Sequence, residues 1–214
     1  CKVTVSDPAD FEITDGVLTA YNGKDTKVSV PSGVKEIASG AFSKATAVTE
    51  LTIPEGVTSI AAKAFSGMNA LETLNLPASL KTVGSDGTWF GEMLVNVSST
   101  GTPQATPAKL TAVNVAEGGS TYSSADGVVY SADASTLIYC PAVKTSIKFS
   151  DKTTAIDKYA FYKSSIEKME LPDSLEICGS QRRSWDYRGQ SFFREPCGGY
   201  HDPGVGEVHR RRCL

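Results

Sequence analysis

The chain has 214 residues, of which 40% are hydrophobic, and a formal net charge of −3. This composition supports a packed core and excludes a chain that is disordered throughout, and the lack of any run of about 18 apolar residues excludes a membrane-spanning helix. Charge is uneven along the chain, because residues 1–179 carry 14 Lys against 20 Asp and Glu, while all seven Arg and both His lie in residues 180–214.

The N-terminal segment predicts a linker followed by a β-hairpin. Residues 1–10 are polar, and residues 11–27 contain two short alternating runs around the Asp-Gly pair at 15–16. An Asp-Gly pair is typical of a two-residue hairpin turn, because glycine accepts the positive φ that this turn requires. The Asn-Gly pair at 22–23 predicts a second turn. We expect the hairpin to cap the N-terminal end of the structure that follows.

The central region is a repeat with a period of 23 residues. Residues 48–65 match residues 25–42 when shifted back by 23 positions, and the match continues when the segment is shifted forward. Each copy has an alternating apolar strand, a proline at a fixed phase, a second apolar run and an Ala-Phe pair. In the third copy, two extra residues place Trp89 and Phe90 in the Ala-Phe position. This periodicity is the mark of a leucine-rich solenoid, and the proline predicts a corner of each coil because it lacks an N–H and fixes φ.

Two insertions are predicted after the third coil. Residues 91–109 are rich in Gly, Ser, Thr and Pro and predict a surface loop. Residues 117–146 predict a hairpin insertion whose arms are residues 128–130 and 137–139. The Asp-Gly pair at 126–127 matches the earlier Asp-Gly turn, so this segment repeats the N-terminal hairpin module.

The repeat resumes after the hairpin insertion and stops near residue 177, so we place the repeat domain at residues 11–177. Residues 178–214 change abruptly in their use of arginine, histidine and cysteine. This change leads to the hypothesis that they form a disordered, non-repeat tail that is read in a shifted frame or joined from unrelated sequence. The chain begins with Cys1, which is either the lipid-bearing residue of a processed lipoprotein or a fragment boundary.

Catalytic and metal-binding groups are scarce in the repeat region. A nucleophilic triad needs a general base, usually His, and residues 1–179 contain no histidine. Cys197 with His201, and His209 with Cys213, resemble zinc ligands in type, but their Gly- and Pro-rich surroundings offer no supporting shell. We therefore predict a protein that is not an enzyme and has no cofactor and no metal. Because the folded part is acidic, we also predict no nucleic-acid partner.

The outward positions of the repeated strands are the candidate binding residues. Strand alternation directs Leu74 and Leu76 inward and Asn75 outward. The equivalent positions of successive coils should line one sheet face, and they are Glu50, Thr52, Thr73, Asn75, Ala112, Asn114, Lys168 and Glu170. Solenoids bind partners on such faces, but polar exterior residues are also required for solubility alone.

Three tyrosines of the hairpin insertion have two interpretations. Tyr122, Tyr130 and Tyr139 either pack within the hairpin or form an exposed aromatic contact patch.

The repeat resembles the BspA-like leucine-rich repeat family over about residues 11–177. The matching features are the Leu-Thr-Ile-Pro-Glu-Gly-Val-Thr-Ser-Ile run at 51–60, the Ala-Phe pair at 64–65 and the Leu-Pro-x-Ser-Leu segments at 76–80 and 171–175. The asparagine ladder of other leucine-rich repeats is absent, so the resemblance is to this subfamily. It implies a location on the surface of bacteria or protist parasites and adhesion to host proteins or cells, and it supplies no catalytic motif to transfer.

We therefore predict a single β-rich solenoid with short irregular or 3₁₀ connections and β-hairpin insertions. The predicted function is that of a monomeric, non-catalytic, extracellular or cell-surface module that adheres to a host protein or glycoprotein. The alternative is a structural spacer or accessory repeat domain of a larger surface protein, such as one that carries a carbohydrate-active domain. Five cysteines without framework spacing predict no disulfide scaffold.

Overall fold

The structure is a computed structural model, and it describes most of the predicted repeat region. The described residues are 7–85, 90–94, 96–97, 103–105, 109–157, 159–162, 164–166, 168–169, 172 and 174–175. The tail predicted at 178–214 lies outside them, and so do its cysteine and histidine pairs.

Short strands and turns make up nearly all of the described chain. The strands are β1 (Phe11–Thr14), β2 (Val17–Tyr21), β3 (Lys27–Ser29), β4 (Glu36–Ile37), β5 (Glu50–Thr52), β6 (Ser59–Ile60), β7 (Thr73–Leu76), β8 (Thr82–Val83), β9 (Asn96–Val97), β10 (Pro103–Ala105), β11 (Ala112–Val115), β12 (Tyr122–Ala125), β13 (Val128–Ser131), β14 (Thr136–Tyr139), β15 (Ser146–Ile147), β16 (Ala155–Ile156) and β17 (Lys168–Met169). Two 3₁₀ helices, η1 (Pro8–Asp10) and η2 (Phe90–Met93), complete the elements. The predicted β-rich fold with 3₁₀ connections is confirmed.

Each coil between residues 27 and 83 contributes one strand to each of two sheets, in which the strands of successive coils are parallel. The first sheet has the strand order β11-β7-β5-β3, and the second sheet has the order β1-β2-β4-β6-β8. In the first sheet Val28 pairs with Leu51 and Leu51 with Leu74, so neighbouring strands are one 23-residue period apart. The predicted solenoid is confirmed, because a residue and its copy one period later are stacked neighbours.

The core lies between the two sheets and is filled by the apolar residues of the repeat. Leu51, Ile60 and Phe65 are fully buried. The Phe rings of the first two Ala-Phe pairs pack on each other, with the centroids of Phe42 and Phe65 5.6 Å apart. Tyr21 continues the column at 5.6 Å from Phe42. The predicted structural role of the Ala-Phe pair is therefore confirmed.

The third coil fills the Ala-Phe position with a different pair from the one predicted. The N–H of Phe42 donates to the Ala64 carbonyl at 3.0 Å, and the N–H of Phe65 donates to the Met93 carbonyl at 2.8 Å. Met93 and Leu94 thus replace Ala and Phe, and both are buried. The placement of Phe90 in that position is wrong because the insertion in this coil is longer than two residues. Trp89, the other residue of the predicted pair, lies outside the described residues.

The loop predicted at 91–109 is consequently too long at its start. Residues 91–94 belong to η2 and the core, where Met93 suits the position because its unbranched side chain adapts to an irregular gap. Within the rest of the segment, β9 and β10 pair antiparallel as a two-stranded sheet.

One further prediction for the N-terminal segment is wrong. Of residues 1–10, predicted as a linker, the structure describes only 7–10, where Pro8–Asp10 forms a 3₁₀ turn that the Asp7 side chain caps by accepting from the Ala9 N–H at 2.9 Å. The Asn-Gly pair at 22–23 does not form a turn. Instead the Asn22 N–H donates to the Asp10 carbonyl at 2.8 Å and extends the hairpin pairing.

The second hairpin lies inside the solenoid, not at its end. The predicted arms are confirmed, because β13 pairs antiparallel with β14. The Asp-Gly pair at 126–127 has the φ angles of the pair at 15–16, but it connects β12 to β13, whereas β14 is the strand that continues into the next coil. The Asp157 N–H donates to the Leu137 carbonyl of β14 at 2.8 Å. In the same way, the Ala38 N–H donates to the Leu18 carbonyl of β2 at 2.9 Å. The structural counterpart of β1–β2 is therefore β13–β14, and β12 is an additional strand.

Thr153 lies at a core position that is apolar in other coils. The Ser174 hydroxyl donates to the Thr153 carbonyl at 2.8 Å, and in an earlier coil the Ser79 hydroxyl donates to the Val57 carbonyl at the same distance. Thr153 therefore occupies the position that Val57 has in its coil. Thr153 is fully buried and its Oγ1 has no hydrogen-bond partner. A buried hydroxyl without a partner retains its full desolvation cost.

We expect Thr153→Val to raise the free energy of unfolding by about 1–3 kcal/mol, because it removes this hydroxyl without changing the side-chain shape. Urea denaturation measures the change. Thr154→Val is the control, since the Thr154 hydroxyl donates to the Ser135 carbonyl and its removal should give no gain. A loss of stability in Thr153→Val would contradict the prediction.

Candidate functional site

The outer surface of the first sheet carries two rows of side chains, one residue from each strand. We call this surface the polar face. Its first row is Lys27, Glu50, Thr73 and Ala112. Its second row is Ser29, Thr52, Asn75 and Asn114. Both rows arise because the strands are parallel and in register, and alternate side chains point to the same side.

Hydrogen bonds between side chains join three residues of the second row. The Asn114 Nδ2 donates to Asn75 Oδ1 at 2.9 Å, and the Asn75 Nδ2 donates to Thr52 Oγ1 at 3.2 Å. Each amide keeps a second N–H for another acceptor. Because the bonds run across strands, they connect three neighbouring strands through their side chains.

The first row contains one ion pair and is otherwise uncharged. Lys27 Nζ lies 2.8 Å from Glu50 Oε2, and both side chains are exposed to solvent. The hydrogen bond to Glu50, and then the charge of its carboxylate, raise the pKa of Lys27. Since the two charges cancel, the eight residues of the polar face have no net charge.

The hairpin that follows β11 seals one edge of the first sheet. The Val113 N–H donates to the Gly127 carbonyl at 3.0 Å. The Ser124 hydroxyl accepts from the Val115 N–H at 2.8 Å and donates to the Val115 carbonyl at 3.4 Å. The turn at Gly127 packs closely on Ala112, and therefore the sheet ends at β11.

The structure brings six of the eight predicted face residues together. They are Glu50, Thr52, Thr73, Asn75, Ala112 and Asn114. Lys168 is not among them, because β17 pairs with β15 in a separate two-stranded sheet beyond the sealing hairpin. Glu170 lies outside the described residues.

Two residues of the polar face are missing from the sequence-based prediction. Lys27 and Ser29 lie one period before Glu50 and Thr52. The 23-residue shift applied to the predicted residues would have found them.

The tyrosines of the hairpin insertion pack inward. Tyr130 and Tyr139 are buried. Tyr122 is half-buried, and its ring centroid lies 5.4 Å from that of Phe90. An exposed aromatic patch is therefore wrong, and packing is the correct interpretation.

The titratable groups with shifted pKa values have structural explanations. Burial raises the pKa of the Cys140 thiol to about 12, so this thiol remains protonated and unreactive at neutral pH. Hydrogen bonds from Ser131 and Ser135 lower the pKa of Asp133 to about 2, and they close the turn between β13 and β14. Within the part of the chain that the structure describes, no group of three or more His, Cys, Asp or Glu could hold a metal ion. None of the helices described there is long and apolar enough to cross a membrane.

Comparison with protein families identifies the repeat. The family model described as "BspA type Leucine rich repeat region (6 copies)" matches residues 19–93 and 135–182, which is more than half of the chain. The chain belongs to the BspA-type leucine-rich repeat family. The match resumes at residue 135, immediately before β14, in agreement with a new run of coils that starts at that strand.

Solved structures of other leucine-rich repeat proteins are similar to this BspA-type chain. The pneumococcal vaccine antigen PcpA is 30% identical, with a TM-score of 0.50 over 70% of this chain and 34% of that one. A leucine-rich repeat protein from Eubacterium ventriosum ATCC 27560 is 17% identical, with a TM-score of 0.38 over 76% of this chain and 57% of that one. A leucine rich cell surface protein from Faecalibacterium prausnitzii A2-165 is 22% identical, with a TM-score of 0.44 over 70% of this chain and 42% of that one.

The BspA-type chain therefore spans between about a third and somewhat more than half of the length of these structures. Comparison with curated proteins gives no match.

Proposed function

We propose that the protein is a non-catalytic cell-surface or secreted module that binds a host protein or glycoprotein through the polar face. The observation that carries the proposal is the hydrogen-bonded row of Thr52, Asn75 and Asn114. Side chains already held in one geometry lose little entropy on binding. The extended, repeated form of the face also matches the way solenoids bind partners.

The family and one relative support the proposed location. PcpA, which is 30% identical to this chain, is described as a pneumococcal vaccine antigen. By similarity we propose an extracellular or cell-surface location for this chain. The titratable groups described above provide no activated nucleophile, which supports a role in binding and not in catalysis.

The triple variant Thr52→Ala, Asn75→Ala, Asn114→Ala tests the proposed face. Binding of the purified chain to an array of host matrix proteins and glycoproteins should fall by about tenfold or more, because three positioned hydrogen-bonding groups are removed. The matched control is Ser59→Ala with Thr82→Ala on the second sheet, where binding should be unchanged. Equal binding by the triple variant and the wild type would reject this face.

A structural spacer is the second candidate, and the chemistry of the surface favours it in one respect. Binding hot spots are rich in Trp, Tyr and Arg. Residues 1–179 contain no arginine, and all the described tyrosines are at least half-buried. Ile13 is the one large hydrophobic side chain that is exposed within the described part. No binding on the array, together with a carbohydrate-active domain in the same open reading frame, would support the spacer.

A further inference from the structure

Among the described residues, β3 is the last strand of the first sheet on the side opposite the sealing hairpin, because the N-terminal hairpin β1–β2 extends the second sheet and not the first. We call the outer side of β3 the open edge. The hairpin after β11 thus bonds to the first sheet, whereas the hairpin before β3 does not.

The hydrogen bonds between β3 and β5 show which groups of β3 face the open edge. The Glu50 N–H donates to the Thr26 carbonyl at 3.2 Å, and the Val30 N–H donates to the Thr52 carbonyl at 3.0 Å. Alternate residues of a strand direct their N–H and C=O groups to opposite sides. The backbone groups of Val28, like those of Thr26 and Val30, thus face β5. The backbone groups of Lys27 and Ser29 face away from it.

No backbone hydrogen bond from the described residues reaches those outward groups of Lys27 and Ser29. At the other end of the sheet, the outward N–H of Val113 is satisfied by Gly127, and the outward N–H and carbonyl of Val115 are satisfied by Ser124. Within the described part of the chain, one edge of the first sheet is therefore closed by the hairpin after β11, and the other edge has no pairing strand. An open edge is a template for an added strand.

We infer that β3 is a docking site for an extended peptide segment of a partner protein, which adds a fifth strand to the first sheet. This site uses the outward backbone groups of Lys27 and Ser29, whose side chains belong to the polar face, and it does not use the hydrogen-bonded residues Thr52, Asn75 and Asn114. Val28 and Val30 are already buried, so the added strand gains main-chain hydrogen bonds and not an apolar pocket. Main-chain pairing provides affinity in this mode of recognition, and neighbouring side chains provide selectivity.

Charge complementarity identifies the preferred segment. Lys27 is exposed and already pairs with Glu50 on its β5 side. A strand added on its other side places one residue next to Lys27, and an acidic residue there is attracted while Lys or Arg is repelled. The residue next to Ser29 should be a hydroxyl or amide, as Thr52 is in β5. The added strand is taken to run parallel to β3, as all strands of the first sheet run parallel to each other. The expected segment thus reads, from its N-terminus, acidic residue, any residue, then Ser, Thr or Asn.

A synthetic peptide with blocked ends and the sequence of residues 48–55 is the probe, because its Glu-Leu-Thr core has this pattern. Titration of the ¹⁵N-labelled full chain should shift the amide signals of Lys27 and Ser29 and leave those of β11 unchanged. A second peptide with Lys in place of that Glu should bind more weakly. Shifts confined to other regions, or equal affinity for both peptides, would overturn the inference.

Ser29→Pro removes the outward N–H and spares the bonds to β5, because proline is tolerated where an edge N–H faces solvent. We expect the affinity for the Glu peptide to fall about fivefold or more, while Ser29→Ala, which keeps the N–H and removes only the hydroxyl, should lower it less. Wild-type affinity of Ser29→Pro would overturn the inference. Concentration-dependent self-association that Ser29→Pro abolishes, without peptide binding, would also overturn it and identify a second copy as the occupant.

Charge reversal provides a test that does not depend on the proline variant folding. Lys27→Glu should reverse the preference, so that the Lys peptide binds more tightly than the Glu peptide. An unchanged preference would reject the charge contact. The triple variant Thr52→Ala, Asn75→Ala, Asn114→Ala should keep its affinity for the Glu peptide, because it leaves β3 unchanged. The two proposals can therefore fail independently of each other.

Discussion

Phe42→Ala is expected to lower the free energy of unfolding by about 3–5 kcal/mol, the typical cost of removing a buried phenylalanine. Phe42 is fully buried, and its ring lies 5.6 Å from those of both Tyr21 and Phe65. The substitution therefore interrupts the aromatic column in its middle and leaves a cavity that two coils share. Chemical denaturation followed by circular dichroism measures the loss.

The control is Phe42→Leu, which keeps most of the buried volume and should cost less than about 1.5 kcal/mol. In a solenoid each coil contacts only its neighbours. Hydrogen exchange in Phe42→Ala should accordingly accelerate most in β2, β4 and β6 and least in β14 and β16. A loss below about 1 kcal/mol, or uniform acceleration across all coils, would show that the column is not a main source of local stability.

The period of the repeat made the fold predictable. Once Val28, Leu51 and Leu74 are aligned, the proline after each strand and the Ala-Phe pair fall at constant phase. Stacking of equivalent residues then follows from the solenoid geometry. The third coil was less predictable, because Trp-Phe and Met-Leu are both apolar pairs and the pattern does not reveal the length of the insertion before them.

The polar face was predictable for a different reason and only in part. Alternation along each strand identifies Thr52, Asn75 and Asn114 as outward residues. It does not reveal where a sheet ends, because the end depends on the bond between the Val113 N–H and the Gly127 carbonyl. The assignment of Lys168 to the same sheet failed for this reason.

The two hairpins show how the same local structure is adapted to two environments. Glu12 pairs with Ala20 and Val129 pairs with Tyr139, and the pairing shifts register immediately after each of these positions. Glu12 is exposed and accepts a hydrogen bond from the Asn22 side chain at 2.8 Å, whereas Val129 is fully buried. A charged residue suits the strand that faces solvent at the end of the stack, and an apolar one suits the strand enclosed between coils.

Gly127→Ala is expected to lower the free energy of unfolding by about 2–5 kcal/mol. Two costs combine, because a non-glycine residue in the left-handed region costs about 1–2 kcal/mol, and overpacking costs about 1–3 kcal/mol. Gly127 has φ +71°, and an added Cβ would lie 2.8 Å from the Ala112 Cβ and 2.9 Å from its Cα. Chemical denaturation measures the change.

Gly16→Ala is the matched control, since Gly16 occupies the same place in the other Asp-Gly turn. It has φ +79°, and an added Cβ would find its nearest neighbour at 3.6 Å, an ordinary contact. Gly16→Ala should therefore lower the free energy of unfolding only by the conformational cost, about 1–2 kcal/mol. The excess loss in Gly127→Ala measures the contact that seals the first sheet, and Ala112→Gly in the same chain should recover part of it. Equal losses in the two alanine variants would show that the turn does not need its close approach to β11.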